Sequence, residues 1–225
     1  MIPALHDGVG EFLGQAGTRD EQSRLVGVQV PLLVVVAGGT YGAVMAAFGG
    51  LAGERPWMVA FGAIKVPLLF SATLALAVPC FYVMNVLSGV GHDFRRVWRA
   101  LLDFQLAVVL QLAALAPVTL LVNLTESDYR VAQGWSTLLF AVAAWNARLG
   151  FARAYAPLEG ASRAHRTLRR VWILLYAFIG FQMGWDLRPF VGKPELAVTF
   201  FRDDIGNAYV EVPRVLWEAV RGLSP

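Results

Sequence analysis

Polar and apolar positions do not alternate along this chain; the charged residues fall in short clusters between long apolar stretches. No Asp, Glu, Lys or Arg occurs in 25–53, 66–91 or 104–125. Each stretch is at or beyond the roughly 20 residues a helix needs to cross a ~30 Å hydrocarbon layer, so each predicts a membrane-crossing helix. The stretch 131–147 is shorter, and it predicts a fourth crossing if Arg148 and Arg153 carry their charged ends toward the headgroups. For 171–185, Arg169 and Arg170 can reach one interface and Trp185 the other, which predicts a fifth. The expected fold is an all-α integral membrane bundle of five transmembrane helices over 25–191. A cytoplasmic segment, 1–24, precedes it, and an exterior segment, 192–225, follows with a short amphipathic helix.

Small and polar residues inside these stretches refine the picture. Gly38, Gly42, Ala46 and Gly50 recur at intervals of four in the first span, a stripe that lets another helix backbone approach closely. Its partner is either a helix of this chain or one of another protein. Pro31, Pro67, Pro79 and Pro117 lie in or at the ends of spans and predict bends. The candidate polar groups within hydrocarbon are Asn85, Gln105, Gln111, Asn146 and Gln182, with Lys65, Asp103 and Arg148 nearer the ends. No carboxylate falls in the middle of a span, where a proton or ion pathway would place one. Anchoring is therefore the expected role of the polar residues.

Charge placement sets the orientation, since cytoplasmic loops carry the excess of Lys and Arg. Arg95, Arg96 and Arg99 follow the second span, and Arg153, Arg163, Arg166, Arg169 and Arg170 follow the fourth. The alternate connections hold Arg55, Lys65 and Arg130 together with Glu54, Glu126 and Asp128. This pattern places the amino terminus inside and the carboxyl terminus outside. Arg95, Arg96, Arg99, Arg166, Arg169 and Arg170 are accordingly expected to anchor topology or to meet anionic lipid headgroups. Residues 1–24 lack the pattern of a secretory signal. Val9, Phe12, Leu13 and Ala16 would form the apolar side of an interfacial helix there, against which Gly8, Gly10 and Gly14 count. Near the other end, Val212, Val215, Leu216 and Ala219 share a helical face, Arg214 and Glu218 are spaced to pair, and Pro213 and Gly222 suit the first turn and the end of that helix.

Composition agrees: hydrophobic types make up 57% of the 225 residues and charged types 16%, too little polar surface to cover a soluble core of this size. The single Cys80 excludes an internal disulfide. The histidines, His6, His92 and His165, all fall on the expected inner side and are expected to be solvent-exposed. His92 and Asp93 with His165 would be the one arrangement from which a metal site could be drawn, but no HExxH or CxxC spacing accompanies them. No nucleophile elbow, dinucleotide fingerprint or Walker sequence is present. Asn123-Leu124-Thr125 matches a glycosylation sequon at the end of the third span.

The run Phe81-Tyr82-Val83-Met84-Asn85-Val86-Leu87, then Gly89-Val90-Gly91 and Phe94-Arg95-Arg96, resembles the central part of Yip1-domain membrane proteins. There an apolar span leads through a glycine-containing turn into an aromatic and basic helix start. The resemblance covers about residues 65–125 and implies a polytopic fold with a cytoplasmic amino terminus. The acidic, tyrosine-containing motif of eukaryotic members is missing, so their trafficking role is not implied.

Together these features lead us to expect a non-catalytic scaffold or accessory subunit of a larger complex in a bacterial cytoplasmic membrane. Its partners would be the bilayer and other membrane subunits, with no cofactor, metal or nucleic acid. Two other functions compete: a transporter or channel component lined by Lys65, Asn85, Gln111 and Asn146, and a lipid-modifying enzyme using His92 and Asp93.

Overall fold

A computed structural model describes residues 19–48, 50, 53, 55–192, 198–201 and 207–220, with the backbone alone for 19–28, 161, 215–216 and 218–220. Six α-helices account for most of it: α1 Arg19–Ala46, α2 Arg55–Leu87, α3 Phe94–Thr125, α4 Tyr129–Ala161, α5 Arg163–Asp186 and α6 Ala208–Val220. There is no β-strand among the described residues. By length and composition, three segments suit a membrane crossing: Gln29–Ala46, Arg55–Leu87 and Gly91–Thr125. The apolar side chains left outside, among them Leu32, Val36, Ile64, Leu76 and Leu121, are what a helical membrane protein presents to lipid.

That number is three where the sequence led us to expect five. The reason is in α4 and α5 themselves. Gln133, Ser136, Thr137 and Asn146 dilute α4, and Arg163, Arg166, Arg169 and Arg170 occupy the first turns of α5. Both helices nevertheless run alongside the apolar ones. Four contacts in succession lay α5 antiparallel along α2: His165 beside Asp93, Trp172 on Phe81 at 5.0 Å, Gly180 against Thr73, and Pro189, just past α5, on Lys65. On α4, Phe151 meets Phe104 of α3 at 5.6 Å.

The packing order is a ring: α1 lies against α2 and α3, α2 against α5, α5 against α4, and α4 against α3. Aromatic side chains fill the interior. Phe104 stands edge-on to both Phe151 and Tyr176, while Phe140 packs on Tyr41 and Phe70.

The tightest seam joins α1 to α2. A Cβ on Gly42 would lie 2.1 Å from the Gly62 carbonyl oxygen, and one on Gly62 would lie 2.3 Å from that of Gly42. Gly38 faces Pro67, and Gly39 faces the Ala63 carbonyl, the group whose helical donor Pro67 removes. The expected stripe thus lies against α2 of the same chain as far as Ala46. Gly50 does not share it: the helix has ended, and Gly50 turns the chain at φ +88° with nothing within 4 Å of its would-be Cβ.

Helix ends follow local chemistry. α2 closes in a Schellman motif, with Gly89 at φ +75° and Val90 N–H donating to Asn85 O. Asp128 and Ser162 cap α4 and α5 through Arg130 N–H and Ala164 N–H. α6 starts at Ala208 behind Asn207, whose side chain accepts from Tyr209 N–H; Pro213 therefore sits well inside the helix rather than in its first turn. The expected partners Val215, Leu216, Ala219, Glu218 and Gly222, like Val9, Phe12, Leu13 and Ala16, lie outside the described residues or side chains.

Candidate functional site

The connection between α2 and α3 meets the one between α4 and α5 at one end of the bundle, and most of the described charges gather there. The Schellman turn leads into a short 3₁₀ turn, Gly91–Asp93, which holds Asp93 at the rim. Its carboxylate faces three cations or potential cations: Arg96 at 3.3 Å, His92 at 3.3 Å and His165 at 3.3 Å. His165 sits within the first turn of α5, and its other ring nitrogen is 3.5 Å from the Tyr155 hydroxyl of α4. The assignment that satisfies the chain has Tyr155 donating to Nδ1 and Nε2–H donating to Asp93.

A carboxylate–imidazole–phenol chain has the components of a proton relay. Here, however, His165 and Tyr155 are both 0% exposed, so a substrate has no access to the ring. The chain joins the 3₁₀ turn, α4 and α5 by side-chain bonds. His6 lies outside the described residues, and His92 is exposed as expected, but the expectation of solvent exposure fails at His165. Its burial follows from the tight α4–α5 connection, which turns the first turn of α5 onto Tyr155. Among the described residues, no group of three His, Cys, Asp or Glu side chains is arranged to hold a metal ion.

The arginines surround this chain. Glu159 pairs with Arg169 and, at 3.8 Å, with Arg166. Arg95, Arg96, Arg99, Arg166 and Arg170 are exposed and Arg169 is half-buried, so one end of the bundle is a basic face. Sequence reasoning missed Glu159 and Tyr155. The signal for Glu159 was its position as the lone carboxylate among the basic residues between Arg153 and Arg170; nothing local marked Tyr155.

At the opposite end the chain after α5 folds back over α2. Lys65, 0% exposed, donates to Pro189 O at 2.7 Å and lies 5.0 Å from the centre of the Phe200 ring. Arg55 donates to Phe48 O and to Gly192 O. Leu187 and Val191 are buried between these two anchors. On the same side of α2, Trp57 packs on Phe61, Phe61 on Phe200, and Phe200 on Phe201. Tyr209 of α6 stacks on Phe178 at 4.3 Å.

The four residues expected to line a transport path do not converge. Lys65 is covered by the returning strand of chain, Asn85 donates to Phe81 O, Gln111 donates to Ala107 O, and Asn146 is exposed on the outside of α4. Asn123 of the sequon is buried and donates to Val44 O at 2.8 Å, so its nitrogen holds α3 to α1. Comparison with protein-family models, with curated proteins and with solved structures finds no match for this chain.

Proposed function

We propose that this chain is a non-catalytic integral membrane protein acting as a scaffold or accessory subunit of a larger membrane assembly. In this reading all five helices α1–α5 cross the membrane. At about 1.5 Å per residue, the 24 residues of α5 extend roughly 36 Å, enough for a ~30 Å core. The arginine-rich end lies in the cytoplasm with the amino terminus, as Lys and Arg excess directs, and the carboxyl-terminal helix lies outside. The bacterial cytoplasmic membrane is the proposed location.

The observation that carries the reading is the apolar surface at the end opposite the arginines. Trp57 is 65% exposed and Phe201 54%, at the two ends of the aromatic row that runs through Phe61 and Phe200, and on α6 Val210 and Trp217 are exposed as well. An aromatic row exposed at both ends, reaching from the edge of α2 to the chain beyond α5, is a docking signature. Several of the less exposed ionisable groups, by contrast, hold elements together: Asp93 with His165, Glu159 with Arg169, Lys65 with Pro189.

Extraction of native membranes into polymer-bounded nanodiscs tests the proposal by mass. The expected particle contains more protein than one 24.5 kDa chain, and the double substitution Trp57→Ser, Phe201→Ser reduces it to the single chain while helicity is kept. A wild-type particle holding one chain and lipid alone overturns the reading.

A further inference from the structure

The last described helix is fastened to the flank of α5 rather than to its end. On α5, Leu174, Phe178 and Phe181 recur at i, i+4 and i+7 and are all exposed, the stripe that a crossing helix turns to lipid. α6 sits on that stripe. Tyr209 stacks on Phe178 at 4.3 Å and lies against Phe181 at 5.3 Å, and its hydroxyl donates to Phe178 O. The backbone N–H of Ala208, in the first turn of α6, donates to Gln182 Oε1 at 3.0 Å. Both acceptors lie back from the end of α5 at Asp186. At about 1.5 Å per residue, Gln182 stands ~6 Å and Phe178 ~12 Å from that end. With α5 crossing the membrane, at most ~6 Å of its roughly 36 Å projects beyond a ~30 Å core. The start of α6 is thus held at or beneath the outer edge of the hydrocarbon.

The faces of α6 suit that depth. Ala208 is buried, and Tyr209, Glu211 and Val212 are half-buried. The exposed positions are Val210, Pro213, Arg214 and Trp217, spaced i, i+3, i+4 and i+7 on the opposite side. All but one are apolar, and the stem of an arginine lies along apolar surroundings while its charge reaches the headgroups. A helix standing in water would turn a polar face outward instead. We propose that α6 is an interfacial anchor seated in the outer leaflet, with Val210, Pro213 and Trp217 against the acyl chains. The anchor rests on the proposed crossing of α5, and it divides the exposed apolar residues of this end. Those of α6 meet lipid, and the row from Trp57 to Phe201 is left for a protein partner.

The depth of a nitroxide tests it, read from collisions with oxygen, which concentrates in hydrocarbon, and with a water-soluble nickel chelate. In the Cys80→Ala background, the full-length protein carrying a spin label at Val210→Cys or Trp217→Cys is reconstituted into phosphatidylcholine liposomes, which hold no other protein. Both labels should collide several-fold more with oxygen than with nickel, at the ~5–10 Å depth of an interfacial helix. A label at Ser127→Cys, exposed in the turn between α3 and α4, should show the reverse preference, and one at Leu174→Cys should report deeper hydrocarbon. Nickel collisions on α6 as frequent as at Ser127→Cys overturn the proposal, while an oxygen-rich Leu174→Cys in the same experiment leaves the crossing of α5 standing. Labels on α6 screened from both reagents overturn it as well, since a second copy of this chain then covers the helix. A nickel-accessible Leu174→Cys removes the crossing itself, and the anchor with it.

Discussion

A single methyl group decides whether α1 and α2 can meet. The Cβ of any residue replacing Gly42 would enter the Gly62 backbone, whereas one replacing Gly150 would find nothing within 4 Å. Gly42→Ala should therefore cost about 1–3 kcal/mol through forced separation of the helices. Gly150→Ala should be neutral or gain up to ~1 kcal/mol from helix propensity. Denaturation in mild detergent followed by circular dichroism measures both. A second residue-scale expectation concerns the buried imidazole: His165→Ala strands the Tyr155 hydroxyl and removes the buried one of Asp93's three partners, and should lose roughly 1–3 kcal/mol by the same assay. The sequence showed the first of these sites better than the second. A four-residue stripe of small residues marks Gly38, Gly42 and Ala46 as a contact surface by spacing alone. Its partner Gly62 stands in no stripe of its own and so was not singled out. His165 carried no local sign of burial, because what buries it is a phenol ten residues upstream across a helix connection.

Among the elements, the returning segment Leu187 to Gly192 depends most on individual contacts. A charged donor on a carbonyl and a guanidinium on another hold it against α2, and charged hydrogen bonds of this kind contribute about 1.5–3 kcal/mol. Lys65→Met should therefore leave the helices formed while amide exchange across 187–192 quickens roughly tenfold or more; hydrogen exchange with mass spectrometry measures this directly. From sequence, Lys65 read as a polar residue near the end of its span with an anchoring role. In the structure the group it anchors is a carbonyl more than a hundred positions later, which no local pattern encodes. Helix ends show a related limit. Charge-free runs located the helices, but α2, α3, α4 and α5 all extend past those runs, because a charged residue ends the hydrocarbon layer without ending a helix.

For the whole molecule, the ring order and the distribution of arginines make a topological expectation. With Cys80 replaced by Ala, a membrane-impermeant maleimide added to intact cells should label Ser127→Cys, in the turn between α3 and α4, and leave Ser88→Cys unlabelled until the membrane is permeabilised. Equal labelling of the two would remove the alternating five-crossing path. Fold class and the three most apolar crossings could be read from hydropathy. The neighbour relations could not, since nothing in the apolar character of α2 says that α5, rather than α3, lies beside it.

That arrangement has a consequence for how the protein is made. The helix that completes the circle is the fifth to leave the ribosome, and it lodges between the second and the fourth. Until it arrives, the nascent chain is an open crescent in which Phe81 lacks Trp172 and Tyr155 lacks His165. Such an intermediate needs shelter at the insertion machinery, and a chain stopped at Ser162 should be destroyed by membrane proteases within minutes of synthesis while the full-length protein persists.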